Sequence, residues 1–159
     1  MGHCLSRVWS PEGVTGRLKE LCANPQVENI LLRPHPEDRA QLRDLLIDPR
    51  ITVVTDTTVA GFAEACDLVI VPGSGIAVEL LQSGTPTIYA RGLDRLGPDP
   101  HGLVAMGLLP DVTACEFTTL TPAISDWFGE DWKRVLAQFG PDQDPVSYTH
   151  LTLPTNREV

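Results

Sequence analysis

The chain has 159 residues, of which 42% are hydrophobic and 21% charged, a composition typical of a folded domain and not of a disordered chain. Its formal net charge of −9 argues against a general nucleic-acid binder, because no basic face can dominate the surface. No run approaches the roughly 20 apolar residues of a membrane span. The four cysteines are widely spaced, with no CxxC pair, no metal-ligand spacing and no secretory signal before them. We therefore expect reduced thiols, no metal site and a cytoplasmic location.

Short β-branched runs alternate with helical patterns as far as Ala90. The first helix is predicted to begin at Ser10 and Pro11, a capping residue followed by proline at the first helical position, and to extend to Ala23. Three more helices are predicted between the strands that follow. The first begins at Pro36, and the second begins near Thr57 or Thr58 and has an amphipathic stripe that starts at Val59. The four predicted strands are residues 29–33, 51–55, 67–71 and 86–90.

The pattern after Ala90 is less regular. The predicted elements are a loop over 91–100, a short helix over 101–108, a strand over 112–117 and terminal helices over 122–128 and 131–139. The alternation of strands and helices predicts the α/β class, as a three-layer Rossmann-like parallel sheet with helices on both faces. We assign residues 1–140 to this domain and expect it to be truncated on its N-terminal side.

The segment from Pro145 to Val159 has neither a helical nor a strand period. It resembles a tail that recurs on unrelated open reading frames and is translated from adapter-like DNA. We therefore expect residues 141–159 to be a flexible tail and a non-native read-through, and leave it out of the functional interpretation. The alternative is a genuine flexible terminus.

The stretch from Asp67 to Ala90 predicts a strand, a Gly-rich turn, a helix and a second strand that pairs in parallel with the first. The turn, Gly73-Ser74-Gly75, would lie where a strand ends and a helix begins. Free backbone N–H groups and the positive end of the helix dipole meet there and suit an anion such as phosphate. The two glycines permit a close backbone approach, and the serine can cap the helix or donate to an oxygen. The alternative is an ordinary turn with no ligand.

Three further groups of candidates follow strands or lie on the helix of this unit. Arg33 and His35 come directly after the first predicted strand, and Arg91 follows the last. Ligands of parallel sheets gather at the carboxyl ends of the strands, so these cations would share one rim with the turn. Glu79 lies on the narrow polar side of the helix, about 7 Å along its axis from Ser74. Its carboxylate could accept hydrogen bonds from a ribose, and a solvated glutamate is the alternative.

These elements together resemble the donor-binding, C-terminal half of GT-B fold glycosyltransferases of the type that builds bacterial surface and capsular polysaccharides. The similarity spans roughly residues 27–90. It is carried by Arg33-Pro34-His35-Pro36, Asp67-Leu68-Val69-Ile70 and Gly73-Ser74-Gly75…Glu79-Leu80-Leu81…Gly84-Thr85-Pro86. The resemblance implies that His35 and the turn at Ser74-Gly75 bind the phosphates of a nucleotide-sugar donor and that Glu79 binds its ribose.

The resemblance also implies that the second, acceptor-binding domain of a GT-B enzyme is missing from this chain. The catalytic residues would then lie elsewhere, and we expect the isolated chain to be inactive. We expect no cofactor. Peripheral membrane association of the full-length protein is left open. A UDP-N-acetylglucosamine 2-epimerase-like enzyme and a non-catalytic nucleotide-binding fragment are the alternatives. An NAD-binding domain is disfavoured, because the segment from Gly73 to Val78 lacks the last glycine of GxGxxG.

Overall fold

The computed structural model describes residues 10–34, 44–73, 75–95 and 97–139. The helices in these ranges are α1 (Pro11–Cys22), α2 (Val59–Glu64), α3 (Ile76–Gln82), α4 (Leu120–Ile124) and α5 (Trp132–Phe139). The strands are β1 (Ile30–Leu32), β2 (Ile51–Val53), β3 (Val69–Val71) and β4 (Thr87–Tyr89). A 3₁₀ turn, Phe117–Thr119, precedes α4, and a wide turn, Trp127–Asp131, leads into α5.

The strands form two parallel pairs. In the first, Ile30 of β1 lies opposite Ile51 of β2, and in the second, Val69 of β3 lies opposite Thr87 of β4. Within the described residues each pair is a two-stranded sheet. The α/β class with parallel strands is therefore confirmed, although each strand is shorter than its sequence pattern predicted.

Side-chain caps begin α1 and α2 at the predicted positions. Ser10 Oγ accepts a hydrogen bond from the Gly13 N–H at 3.3 Å, with Pro11 at the first helical position. Thr58 Oγ1 accepts from the Gly61 N–H at 3.0 Å. Each cap satisfies one of the amide groups that have no partner within the helix, which is why the chain turns into a helix at these residues.

The β3–α3–β4 unit forms the centre of the largest apolar cluster. Val71, Ala77 and Leu80 are almost fully buried there, and α3 packs between α2 and α5. Burial of a leucine of this kind stabilises the fold by about 1.5–3 kcal/mol. A second cluster packs α1 on β1 and β2, and a third packs β4 on the 3₁₀ turn and α4. These contacts fix β3 in the apolar core.

The predicted strand over 112–117 is wrong. A single parallel bridge joins Asp111 to Tyr89, and the chain then turns into the 3₁₀ segment at Phe117. Side chains of α1 take the backbone groups that a strand would use. Glu20 Oε2 accepts from the Phe117 N–H at 3.0 Å, and the Arg17 guanidinium donates to two carbonyls of this segment, at 2.6 Å each.

Four other predictions have mixed outcomes. Residues 101–108 form overlapping turns and not the predicted short helix. The Met106 N–H donates to the Gly102 carbonyl, the Gly107 N–H to Val104 and the Leu108 N–H to Leu103, each at 2.9 Å. The terminal helices are present as α4 and α5. The start of the predicted helix at Pro36 and the tail over 141–159 lie outside the described residues. In the described ranges, no helix has the length and apolar character needed to cross a bilayer.

Candidate functional site

Helix α1 links the ends of the two strand pairs. At its beginning, the Ser10 N–H donates to the carbonyl of Leu93, in the segment after β4, at 2.9 Å. At its end, Arg50 Nη2 donates to the carbonyl of Cys22 at 2.6 Å, directly before β2. The end of β4 and the start of β2 therefore lie at opposite ends of α1.

Arg33 lies at the carboxyl end of β1 and is half-buried. Its Nη2 atom donates to the carbonyl of Thr57, just before α2, at 3.5 Å. The guanidinium therefore bridges the segments that follow β1 and β2. A bond of this length is weak, and a guanidinium has several donors, so Arg33 can also serve a ligand at this edge. His35, the other candidate after β1, lies outside the described residues.

Gly73, at the carboxyl end of β3, donates its backbone N–H to Oδ2 of Asp94 at 2.9 Å. Asp94 belongs to the segment after β4 and is only 8% exposed. A buried carboxylate needs such donors, because burial without hydrogen bonds is costly for a charge. The Gly73 N–H, which the sequence pattern assigned to a ligand phosphate, therefore donates to a carboxylate of this chain. Sequence reasoning missed Asp94 because its loop has no period and its partner is 21 residues away.

Pro100 lies directly on Gly73. A Cβ atom built on Gly73 would lie 2.4 Å from Cγ of Pro100, so only glycine fits beneath this ring. The pocket at this edge has a volume of about 10 Å³, enough for about one water molecule. Its lining residues are Pro72, Gly73, Tyr89, Asp99, Pro100, His101, Leu103 and Leu109. The end of β3 is thus covered by the chain itself.

Asp99 organises the segment that carries Pro100. Its backbone is in the left-handed region, with φ of 42°, which aspartate tolerates better than most residues. Its N–H donates to the Tyr89 hydroxyl at 2.9 Å, and its carboxylate accepts from the N–H groups of Val104 at 3.1 Å and Ala105 at 2.9 Å. The last residue of β4 and the turn after Gly102 therefore hold the segment from both sides.

Two candidates of the central unit are exposed. Gly75 precedes α3, and Glu79 lies in its first turn. The Glu79 carbonyl accepts from both the N–H and the hydroxyl of Ser83, each at 2.9 Å, which closes the end of the helix. Ser74 lies outside the described residues. The sequence correctly placed Gly73, Gly75 and Glu79 on one turn and one helix.

Arg91, the last candidate, is exposed at the carboxyl end of β4. Its backbone N–H donates to Oγ1 of Thr113 at 2.8 Å. The Thr113 hydroxyl in turn forms a short hydrogen bond to Oδ1 of Asp111, which also accepts the Thr113 N–H at 2.9 Å. The backbone of Arg91 is fixed by this small network, and its side chain extends from an exposed position.

Metal binding and cysteine chemistry receive no support from the described residues. In those ranges, no group of three or more histidine, cysteine, aspartate or glutamate side chains could hold a metal ion. Cys22, Cys66 and Cys115 are free thiols. Burial raises the pKa of the Cys22 and Cys66 thiols, which disfavours the reactive thiolate.

Comparison of the chain with known proteins gives no match to a protein-family model, to a curated protein or to a solved structure.

Proposed function

We propose that this chain is the donor-binding part of a GT-B glycosyltransferase of surface polysaccharide or glycoconjugate biosynthesis, and that it binds the nucleotide of a sugar nucleotide. The observation that carries the proposal is the parallel β3–α3–β4 unit. In it, Gly73 stands at the carboxyl end of β3 and Gly75 directly precedes α3. Open α/β sheets bind phosphate groups at such a turn.

The positions of the two arginines support the proposal. Arg33 follows β1 and Arg91 follows β4, so both stand at carboxyl ends of strands. Helix α1 begins beside the segment after β4 and ends beside the start of β2. Since β2 starts near the end of α1, β1 and β2 are directed toward the beginning of α1, where the segment after β4 lies. This direction favours a position of Arg33 and Arg91 at the same edge.

The proposed chemistry follows from charge. In sugar transfer the bond between the anomeric carbon and the donor phosphate breaks, and the leaving nucleotide gains negative charge. Arg33, Arg91 and, by the family resemblance, His35 would stabilise that charge, and fixed backbone N–H groups would add to it. Glu79 would accept hydrogen bonds from the ribose hydroxyls. The nucleotide phosphates would bind on the Gly75 side of the turn.

A second candidate is a non-catalytic module in which this turn is structural only. The hydrogen bond from Gly73 to Asp94 favours it, because the amide is already satisfied within the chain. A UDP-N-acetylglucosamine 2-epimerase-like enzyme would use the same nucleotide contacts as the glycosyltransferase. Nucleotide binding therefore separates the module from both enzymes, and an epimerisation assay on the donor separates the two enzymes.

The test is calorimetric titration of the chain with UDP, CDP, GDP and CMP, and with uridine as the ligand that lacks phosphate. We expect one nucleotide to bind and its nucleoside to bind much more weakly, because the proposed contacts are to phosphate. Replacement of His35 by alanine should weaken nucleotide binding by roughly 1–3 kcal/mol, the cost of a lost charge-assisted hydrogen bond. No binding of any nucleotide at millimolar concentration would favour the structural module.

A further inference from the structure

We propose that residues 97–103 form a removable cover over the end of β3, latched by Asp94, and that a nucleoside diphosphate binds only when this cover moves. The inference rests on the proposed function for its ligand, but the movement of the cover can be tested without one. The cover is defined as Gly97-Pro98-Asp99-Pro100-His101-Gly102-Leu103.

The position of Pro100 identifies the segment as a cover. Gly73 beneath it is buried, while Pro100 and the preceding residues Gly97 and Pro98 are exposed. The segment therefore stands between the end of β3 and solvent. The space that remains, about 10 Å³, admits about one water molecule and not a diphosphate.

Several hydrogen bonds hold the cover and its latch in place. Within the turn, the Asp99 carboxylate accepts from the Val104 N–H at 3.1 Å and from the Ala105 N–H at 2.9 Å. The Asp94 carboxylate accepts from the Gly73 N–H at 2.9 Å, and the Tyr89 hydroxyl accepts from the Asp99 N–H at 2.9 Å. Both are contacts between the segment after β4 and a strand end. Neither belongs to a helix or a sheet ladder, so both can break without loss of secondary structure.

The segment also has the parts of a hinge. Leu103, at one end, is 3% exposed and stays in the main apolar cluster. Gly102, directly before it, has φ of 69°, and Gly97 marks the other end. Glycines accept large backbone rotations at little cost, so the residues between them can swing away while Leu103 remains packed, once the Asp99 carboxylate has also left the N–H groups of Val104 and Ala105.

A negatively charged ligand can break the hydrogen bond between Asp94 and Gly73. A phosphate that approaches the turn after β3 meets the Asp94 carboxylate, and the two like charges repel each other. The phosphate also competes with Asp94 for the Gly73 N–H. Binding therefore favours the open cover, and the apparent affinity is reduced by the fraction of molecules that are closed.

The first experiment measures amide hydrogen exchange by NMR, without ligand, in the wild type and in Asp94→Asn. The neutral amide forms a weaker bond to Gly73, so exchange of the Asp99 and Gly102 amides should accelerate about tenfold or more. Tyr89→Phe is the second variant. It keeps the packed ring and removes the acceptor of Asp99, and should act in the same direction. Gly16→Ala, in α1 and outside the proposed site, is the control, because a Cβ there contacts nothing within 4 Å.

The second experiment titrates the same proteins with UDP. Asp94→Asn should bind UDP about tenfold more tightly than the wild type, because the cost of opening and the repulsion both fall. Unchanged exchange in both Asp94→Asn and Tyr89→Phe would overturn the cover, whatever UDP does. Faster exchange with no UDP binding by any form would support the moving cover and overturn the proposed function instead.

Discussion

Gly13 of α1 packs directly against the backbone carbonyl of Gly92. A Cβ atom built on Gly13 would lie 1.9 Å from that oxygen, far inside van der Waals contact. The adjacent hydrogen bond from the Ser10 N–H to Leu93 O, at 2.9 Å, fixes the same approach. The first turn of α1 is thus attached to the segment that follows β4 through backbone atoms, which cannot rearrange to admit a side chain.

This contact predicts opposite effects for two glycines of one helix. Gly13→Ala should destabilise the fold by about 1–3 kcal/mol or more, the range for overpacking, because the backbone of Gly92 must move. Gly16→Ala should stabilise it by about 0.5–1 kcal/mol, since a Cβ there has nothing within 4 Å and alanine favours the helix. Urea unfolding of both variants measures the difference. Equal effects would show that α1 does not approach the segment after β4 as closely as described.

The pair also shows what a sequence can predict. From the sequence alone, Gly13 and Gly16 are both expected to weaken the helix, because helix propensity depends on local structure alone. The positions of α1, α2, α3 and the four strands followed from local patterns of this kind, although each strand is shorter than predicted. The strand expected over 112–117 was not formed, because Arg17 and Glu20 of a distant helix take its backbone groups.

The candidate site was likewise predicted in part from the sequence. The turn at Gly73 and the helix that carries Glu79 were predicted, because strand, turn and helix are consecutive in the chain. Asp94 and Pro100 were not, although both contact Gly73. Their role depends on how the segment after β4 folds back on β3, and no periodicity encodes that. Two parallel pairs were likewise predictable from consecutive elements. Whether such pairs join into one sheet depends on distant contacts, and in the described residues each pair is its own sheet.

Acid should remove the stability that the ion pair between Asp48 and Arg50 contributes. Arg50 donates to both carboxylate oxygens of Asp48 at 3.0 Å, and these hydrogen bonds lower the pKa of Asp48 from 3.8 to about 2. Since the folded pKa is depressed, the stability it contributes is present above pH 3.8 and is lost as the pH falls toward about 2. We expect Asp48→Asn to be less stable than the wild type near neutral pH and to converge with it near pH 2.

The measurement is the urea midpoint of unfolding across this pH range. Asp126→Asn, a change at an exposed aspartate that removes the same charge, is the control and should leave the acid-dependent loss in place. A difference between Asp48→Asn and the wild type that stays constant with pH would contradict the role of the ion pair.

Asn24 is a buried bridge between the end of α1 and the 3₁₀ turn. It is 2% exposed, its Nδ2 donates to the Phe117 carbonyl at 2.9 Å, and its Oδ1 accepts from the Gln26 N–H at 2.9 Å. Asn24→Ala should cost about 1–3 kcal/mol of unfolding free energy, because it leaves the Phe117 carbonyl without this donor. Gln26→Ala is the matched control, since it keeps the backbone N–H and should change stability by less than about 0.5 kcal/mol. Similar losses in the two variants would count against the bridge.

Arg91 gives the sharpest test of the ligand site. Its hydrogen bond to Thr113 uses the backbone N–H, which alanine retains, so Arg91→Ala should leave the melting temperature unchanged. If the side chain binds a donor phosphate, the variant should lose about tenfold or more in UDP affinity, the scale for a charge-assisted hydrogen bond. Lys133→Ala removes the same charge from an exposed position on α5 and should bind UDP as the wild type does.

Salt dependence separates a direct contact of Arg91 from a general effect of net charge. Screening weakens an exposed ion pair, so added salt should reduce UDP affinity more in the wild type than in Arg91→Ala. Lys133→Ala should follow the salt dependence of the wild type. Equal loss of affinity in both variants would mean that UDP senses only the net charge of −9, and Arg91 would then be no part of the site.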